Sequence, residues 1–139
     1  MNHGVGRNPY ATGGVFPVDG SWFDNYPSHI RGQTWRTYVR FEDIVAPTPA
    51  NLAILLDEDA DSLNDGVYSF GMAGAEWIDW PATRHGMAGT VSFADGRAQV
   101  RRWVDDRTAI QNHRVSRRMV PGSADYQWLR ERMSARIRP

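Results

Sequence analysis

The chain has 139 residues with neither cysteine nor lysine among them. Without cysteine there are no disulfide frameworks, thiolate zinc sites, cysteine nucleophiles or thiol redox chemistry, although the compartment stays open because many exported proteins also lack it. Without lysine, all 16 basic residues are arginine. Long apolar runs are missing too. The longest, Leu52 to Leu56, is far short of the roughly 18 to 20 residues that a membrane helix requires. The residues Met1 to Gly6 carry neither a basic stretch leading into an apolar one nor a small-residue cleavage site, so they encode no export signal. What is present is ordinary globular material, 41% hydrophobic and 23% charged. A chain of this length buries roughly two-thirds of its unfolded surface, enough for one domain with its own core. Whole-chain disorder is excluded.

The formal net charge of zero is unevenly laid out. Residues 1 to 79 hold four arginines and eleven acids, and residues 80 to 139 hold twelve arginines and five acids, so the halves carry −7 and +7. Such a split fits pairing inside one fold or between identical subunits, and less well contact with a polyanion.

Residues 1 to 33 are rich in Gly, Pro, Asn and Asp, with Tyr10, Phe16, Trp22, Phe23 and Tyr26 at no regular period. They predict an irregular segment held down by aromatic anchors. Residues 34 to 104 predict a β-rich core. Thr34 to Arg40 reads as a short strand or extended lead-in, and Phe41 to Val45 as one helical turn ended by Pro47 and Pro49. Leu52 to Leu56 reads as a buried central strand running into the acidic stretch Asp57-Glu58-Asp59-Ala60-Asp61. Val67 to Phe70 and Glu76 to Asp79 are short candidate strands. The clearest element is a hairpin over 90 to 101, turning at Asp95-Gly96. A two-residue turn would place Val91, Phe93, Ala98 and Val100 on one, core-facing side. An arginine-rich connection over 105 to 122 then leads to a helix over 123 to 138. Ser123 is its expected N-cap, and Tyr126, Leu129, Met133 and Ile137 form its apolar stripe. The whole predicts a single α+β domain with a mainly antiparallel sheet and a C-terminal helix.

Three constellations could carry chemistry. Asp57, Asp59, Asp61 and Asp65 match four ligand positions of an EF-hand calcium loop. Ser62 stands where Gly makes the sharp turn, however, and Tyr68 where the bidentate Glu belongs. An irregular calcium cage stays open, beside the plainer reading of a solvated acidic loop. Next, His85 precedes Asp95 by ten positions and could reach back to it as a proton-relay or metal pair, with Ser92 or His113 as further partners. The structural alternative is a histidine that fixes the entry to the hairpin, and this reading is preferred. Finally, the basic half interleaves arginine with Trp80, Trp103 and Trp128, a pattern compatible with stacking on single-stranded nucleic acid. The near-neutral pI and the absence of a recognition-module signature favour arginine–aromatic packing instead, and no nucleic-acid partner is expected.

His85-Gly86-Met87-Ala88-Gly89-Thr90-Val91-Ser92-Phe93-Ala94-Asp95-Gly96, a histidine, nine residues and then Asp-Gly, resembles the C-terminal signature of pilin-like proteins related to type II secretion pseudopilins. Asp57-Glu58 with Asp61-Ser62-Leu63-Asn64-Asp65-Gly66, Trp80-Pro81-Ala82-Thr83-Arg84, and Asp125 to Arg132 resemble the acidic stretch, the approach to the histidine and the terminal helix of the same family. The resemblance implies a non-enzymatic structural head, with His85, Asp95 and Gly96 as its signature, in a type IV pilus-like or pseudopilus-like assembly. It implies identical or related subunits as partners, a place on the periplasmic or extracellular side of the cell envelope, and membrane contact only through an N-terminal helix that these residues do not include. It adds weight to calcium at Asp57, Asp59, Asp61 and Asp65. Arg101, Arg114 and Arg117 are the expected subunit-facing cations. The alternative is a soluble calcium-dependent module that binds an extracellular glycan through exposed tryptophans.

Overall fold

Residues 4–11, 35–63, 66–72, 74–110 and 117–138 are described by the structure, a computed structural model. Their elements are β1 (Gly4–Arg7), 3-10 turns at Pro9–Ala11 and Phe41–Asp43, β2 (Ala53–Glu58), β3 (Glu76–Trp77), β4 (Ala88–Phe93), β5 (Ala98–Arg102), β6 (Arg118–Met119) and α1 (Ala124–Met133). A four-stranded sheet runs in the spatial order β1-β2-β4-β5, with every neighbour antiparallel, and β3 pairs with β6 in a separate antiparallel ribbon. This is the expected α+β arrangement, mainly antiparallel with one C-terminal helix.

The apolar run does form an interior strand, but one face of it is open. Leu52, Ala53 and Leu56 are buried whereas Leu55 is exposed, because only one side of this sheet is covered and a register irregularity between Ala53 and Leu55 breaks the alternation that would put those two on the same face. Glu58, read from sequence as part of a polar loop, is instead the last residue of β2 and fully buried.

β1 corrects the expectation of an irregular N-terminal segment. Gly-Val-Gly-Arg has little strand propensity, and tertiary packing explains its composition. Gly6 lies opposite Leu56, and a Cβ built on it would sit 2.6 Å from Tyr68 Cβ, so only glycine allows that approach. The outer edge of β1 is also occupied: the Arg7 amide donates to Gly66 O (3.0 Å) and the Tyr68 amide to Arg7 O (2.9 Å). Buried Asn8 then joins three elements. Its Nδ2 donates to Ala53 O at 2.7 Å and Met133 O at 2.8 Å, and its Oδ1 accepts from the Tyr10 amide at 3.0 Å. Residues 12–34, with the anchors Phe16, Trp22, Phe23 and Tyr26, lie outside the described residues.

The hairpin is present with its register moved by one. Thr90 pairs with Val100, Val91 with Gln99 and Ser92 with Ala98, and the Phe93 amide donates to Arg97 O (2.8 Å). Ala94, Asp95 and Gly96 therefore form a three-residue loop in which Gly96 alone has positive φ, at 88°. The two-residue turn would need positive φ at Asp95 as well. Asp95 avoids this by accepting the Arg97 amide on its own carboxylate (3.0 Å). One residue of register exchanges the faces of a strand. Gly89, Val91, Phe93, Gln99 and Arg101 consequently share the inner face, and Ala98 and Val100 turn outward beside Thr90 and Ser92.

α1 and the aromatic 67–80 segment close the inner face. The Ser123 hydroxyl accepts from the Tyr126 amide (3.3 Å) as the expected N-cap. Tyr126, Leu129 and Met133 are buried with Leu56, Phe70, Trp77, Val91, Phe93 and Trp103. Tyr126 stacks on Phe70 (ring centroids 5.1 Å apart) and meets Trp77 edge-on, the offset and T-shaped geometries aromatic quadrupoles favour. The helix stops at Met133, short of the expected end, and Ile137 lies beyond it. Ser134 Oγ donates to Arg36 O (2.7 Å) and Trp35 bridges Arg136, so the tail runs extended along the 35–38 segment instead of continuing the helix.

Candidate functional site

The residues singled out by sequence fall at opposite ends of β4. At its start, Gly86 and Met87 both have positive φ (65° and 62°), a tight turn that is strained for the methionine. This turn carries His85 outward, and the Trp103 amide locks it by donating to Met87 O (2.9 Å). The preceding residues lie along β2: Pro81 bridges Glu58, and the Ala82 amide donates to Asp57 O (2.8 Å). Asp57 thereby meets Arg84 and His85. Arg84 Nη2 pairs with Asp57 Oδ1, Arg84 Nη1 donates to Glu58 O (3.1 Å), and exposed His85 Nε2 lies 3.8 Å from Asp57 Oδ2. A mostly buried carboxylate held by guanidinium is an internal clamp between β2 and the approach to β4.

Beneath the clamp the chain buries more acid. Glu58 and Asp79 are almost fully enclosed. The Ser69 amide donates to Asp79 Oδ2 (2.6 Å), and Ser62 Oγ donates to Glu58 Oε1 (3.3 Å) while accepting the Trp80 amide (3.0 Å). Tyr68 is buried among these groups, and its hydroxyl has no hydrogen-bond partner among the described residues. Burial, reinforced by Asp79, Glu58 and Asp59, pushes its phenol well above the ordinary value, so it stays protonated at any physiological pH. Sequence reading missed Arg84, Glu58, Tyr68 and Asp79. The available signal was parity: Glu58 lies two residues from buried Leu56 and so takes the inner face.

Of the expected calcium ligands, Asp57 faces Arg84 and His85, and Asp59 Oδ1 accepts the Asp61 amide (2.9 Å) with Asp61 exposed. Asp65 lies outside the described residues. Among the described residues, no three His, Asp or Glu side chains gather as a metal-holding group.

At the far end of β4, Asp95 and Gly96 form the hairpin loop. His85 and Asp95 do not meet as a pair. The six residues of β4 stand between them, a span of roughly 20 Å at strand rise. The proton-relay geometry is therefore absent. Asp95 shapes its own loop, and His85 stands before the strand with its imidazole exposed and 3.8 Å from Asp57. His113 lies outside the described residues.

Two of the three expected subunit-facing arginines are engaged within the chain. Arg117 makes a bidentate pair with Glu76 (2.6 and 2.8 Å), which raises its pKa. Arg101 lies over the Trp128 ring (4.9 Å) with Nη2 3.8 Å from buried Asp125. Arg114 lies outside the described residues. Since Asp57–Arg84 and Glu76–Arg117 each join the acidic half to the basic half, part of the charge split is neutralised inside the fold. Of the tryptophans in the basic half, Trp80 and Trp103 are core residues, and the half-buried Trp128 ring carries Arg132 (4.1 Å) as well as Arg101; Trp22 lies outside the described residues. No protein-family model, no curated protein and no solved structure matches the chain.

Proposed function

We propose that this chain is the globular head of a non-enzymatic structural subunit in a type IV pilus-like or type II secretion pseudopilus-like assembly, on the periplasmic or extracellular side of the cell envelope, with identical or related subunits as its partners. The observation that carries this reading is the outer face of the main sheet. Val5 on β1, Leu55 on β2 and Val100 on β5 stand open there with 55%, 38% and 63% of their surface exposed. Thr90, Ser92 and Ala98 separate them with small side chains. A sheet normally buries one face and solvates the other with polar residues, and in an assembly these three aliphatics are where a neighbouring subunit would bury apolar surface. The signature residues also support the reading. Asp95 shapes the hairpin loop at one end of β4, and His85 leads into the Gly86-Met87 turn at the other.

The test is localisation of the tagged full-length gene product in its host. Mechanical shearing of the surface should release it with filaments, and immunogold should decorate them. A tag that stays in the cytosolic fraction and never enters the envelope or the sheared material overturns the reading.

A further inference from the structure

Among the described residues the edge of β5 is unpaired, and its register is complementary to itself. Hydrogen-bonded positions alternate along an antiparallel pair. The Phe93 amide bonds Arg97 O and the Trp103 amide bonds Met87 O, which places Arg97, Gln99, Arg101 and Trp103 as the residues bonded to β4. Ala98, Val100 and Arg102 therefore turn their amides and carbonyls away from the sheet. Among the described residues nothing pairs with that edge, and all three residues are exposed. The opposite edge of the sheet differs, since β1 is bonded there to Gly66 and Tyr68.

We infer that two copies of this chain pair antiparallel through β5, with the two-fold axis at Val100. In that register Val100 faces its own copy, Ala98 faces Arg102, and Gln99 faces Arg101. All three outward-turned residues exchange both backbone bonds with their partners, the pattern of an isologous interface. No arginine lies directly opposite an arginine, although β5 has two and Arg97 precedes it. This matters because like charges placed directly across a ladder destabilise it. The inner-face arginines are drawn back onto rings, Arg97 over Phe93 (4.1 Å) and Arg101 over Trp128 (4.9 Å). The ladder stops at Arg102 because the Val104 amide is already taken by Asp125 (3.0 Å). Val100, the most exposed aliphatic of the sheet at 63%, is covered by its twin, and the outer aliphatic face becomes continuous across both copies. Such pairing requires nothing of the envelope assignment.

Sedimentation equilibrium of the purified full chain should show a monomer–dimer equilibrium that tightens with added salt, because the residual arginine repulsion is screened. Docking of the acidic half onto the basic half would instead weaken with salt. Val100→Pro removes only a solvent-facing donor from an edge strand, a place where proline is tolerated. It should leave the monomer folded and weaken association roughly ten- to a hundredfold. In a chain with no native cysteine, Val100→Cys should form an intermolecular disulfide under mild oxidation, since a hydrogen-bonded antiparallel pair sets its Cα atoms about 5.5 Å apart. Ser92→Cys, one strand inward on β4, should not. A strictly monomeric chain overturns the inference. So does a dimer that survives Val100→Pro while Val100→Cys stays uncrosslinked, and that outcome leaves subunit assembly standing by another surface. Cytosolic localisation with an intact, crosslinkable dimer would overturn the envelope reading and leave the edge pairing intact.

Discussion

Replacing Asp125 with alanine should be among the most damaging single changes in the helix. Its carboxylate is fully buried in the first turn of α1 and accepts the Val104 amide (3.0 and 3.1 Å) and the Asp105 amide (2.8 Å), with Arg101 Nη2 at 3.8 Å. It thus fastens the exit of β5 to the start of the helix. Hydrogen bonds to a charged acceptor contribute about 1.5 to 3 kcal/mol each, and their loss strands donors that water reaches poorly. Two amide donors place the expected loss at about 3 to 5 kcal/mol. The first-turn carboxylate also favours the helix dipole by about 0.5 kcal/mol. The ion pair adds less, because Arg101 stays on the Trp128 ring when the carboxylate is gone. For a domain of this size the change corresponds to a fall in Tm of roughly 10 to 20 °C. Urea unfolding followed by tryptophan fluorescence is the assay, and the midpoint should fall with an unchanged slope. Asp125→Asn keeps one acceptor oxygen and should lose about half as much. A loss below about 1 kcal/mol for the alanine variant would refute the claim that these bonds hold helix to sheet.

Two further perturbations test other joints. Gly6→Ala places a methyl 2.6 Å from Tyr68 Cβ and 3.0 Å from both the Tyr68 amide nitrogen and Glu58 Oε2. β1 must then part from the 67–68 segment, at a cost of about 1 to 3 kcal/mol. Gly66→Ala, whose nearest neighbour is the Arg7 Nη2 tip at 3.7 Å, should be nearly silent in the same denaturation assay, and equal costs would refute the close-approach argument. Asp105 is held down at about 2 by its hydrogen bonds from Arg107, below the ~3.9 of an unfolded aspartate. Its contribution to stability is therefore complete above the unfolded value and disappears as pH falls through about 2. The stability gap between the wild type and Arg107→Met, followed by denaturant midpoints from neutral to strongly acidic pH, should close over that window. A constant gap would sink the assignment.

Legibility followed the range of the interactions involved. Features whose cause is local were readable: the Ser123 cap, the Tyr126-Leu129-Met133 stripe, the apolar strand and the existence of the hairpin. β1 was hidden because its glycine answers to Tyr68, far along the chain, and not to strand propensity. β3 falls inside the expected 76–79 strand, but its partner β6 was hidden because a two-residue strand leaves almost no periodicity; Glu76 and Arg117 meet only once the fold closes. The hairpin register was misread at one point, the conformation of Asp95, and that error carried Val100 to the wrong face. At the candidate site the individual acids and histidine stood out, but their partners did not. Arg84 lies next to His85 in sequence, yet nothing local indicates that Asp57 is its partner.

The loop after β4 works as a parity element. β5 carries two interleaved sets, Gln99 with Arg101 and Ala98 with Val100, and loop length alone decides which set faces the core. Removing one loop residue would be formally an inversion: Ala98, Val100 and Arg102 would turn inward, and Arg101, with its hold on Trp128 and Asp125, would turn out to solvent. Sequence drift in this loop is therefore constrained in number of residues more tightly than in their identity, because length selects between a closed sheet surface and one that can be shared.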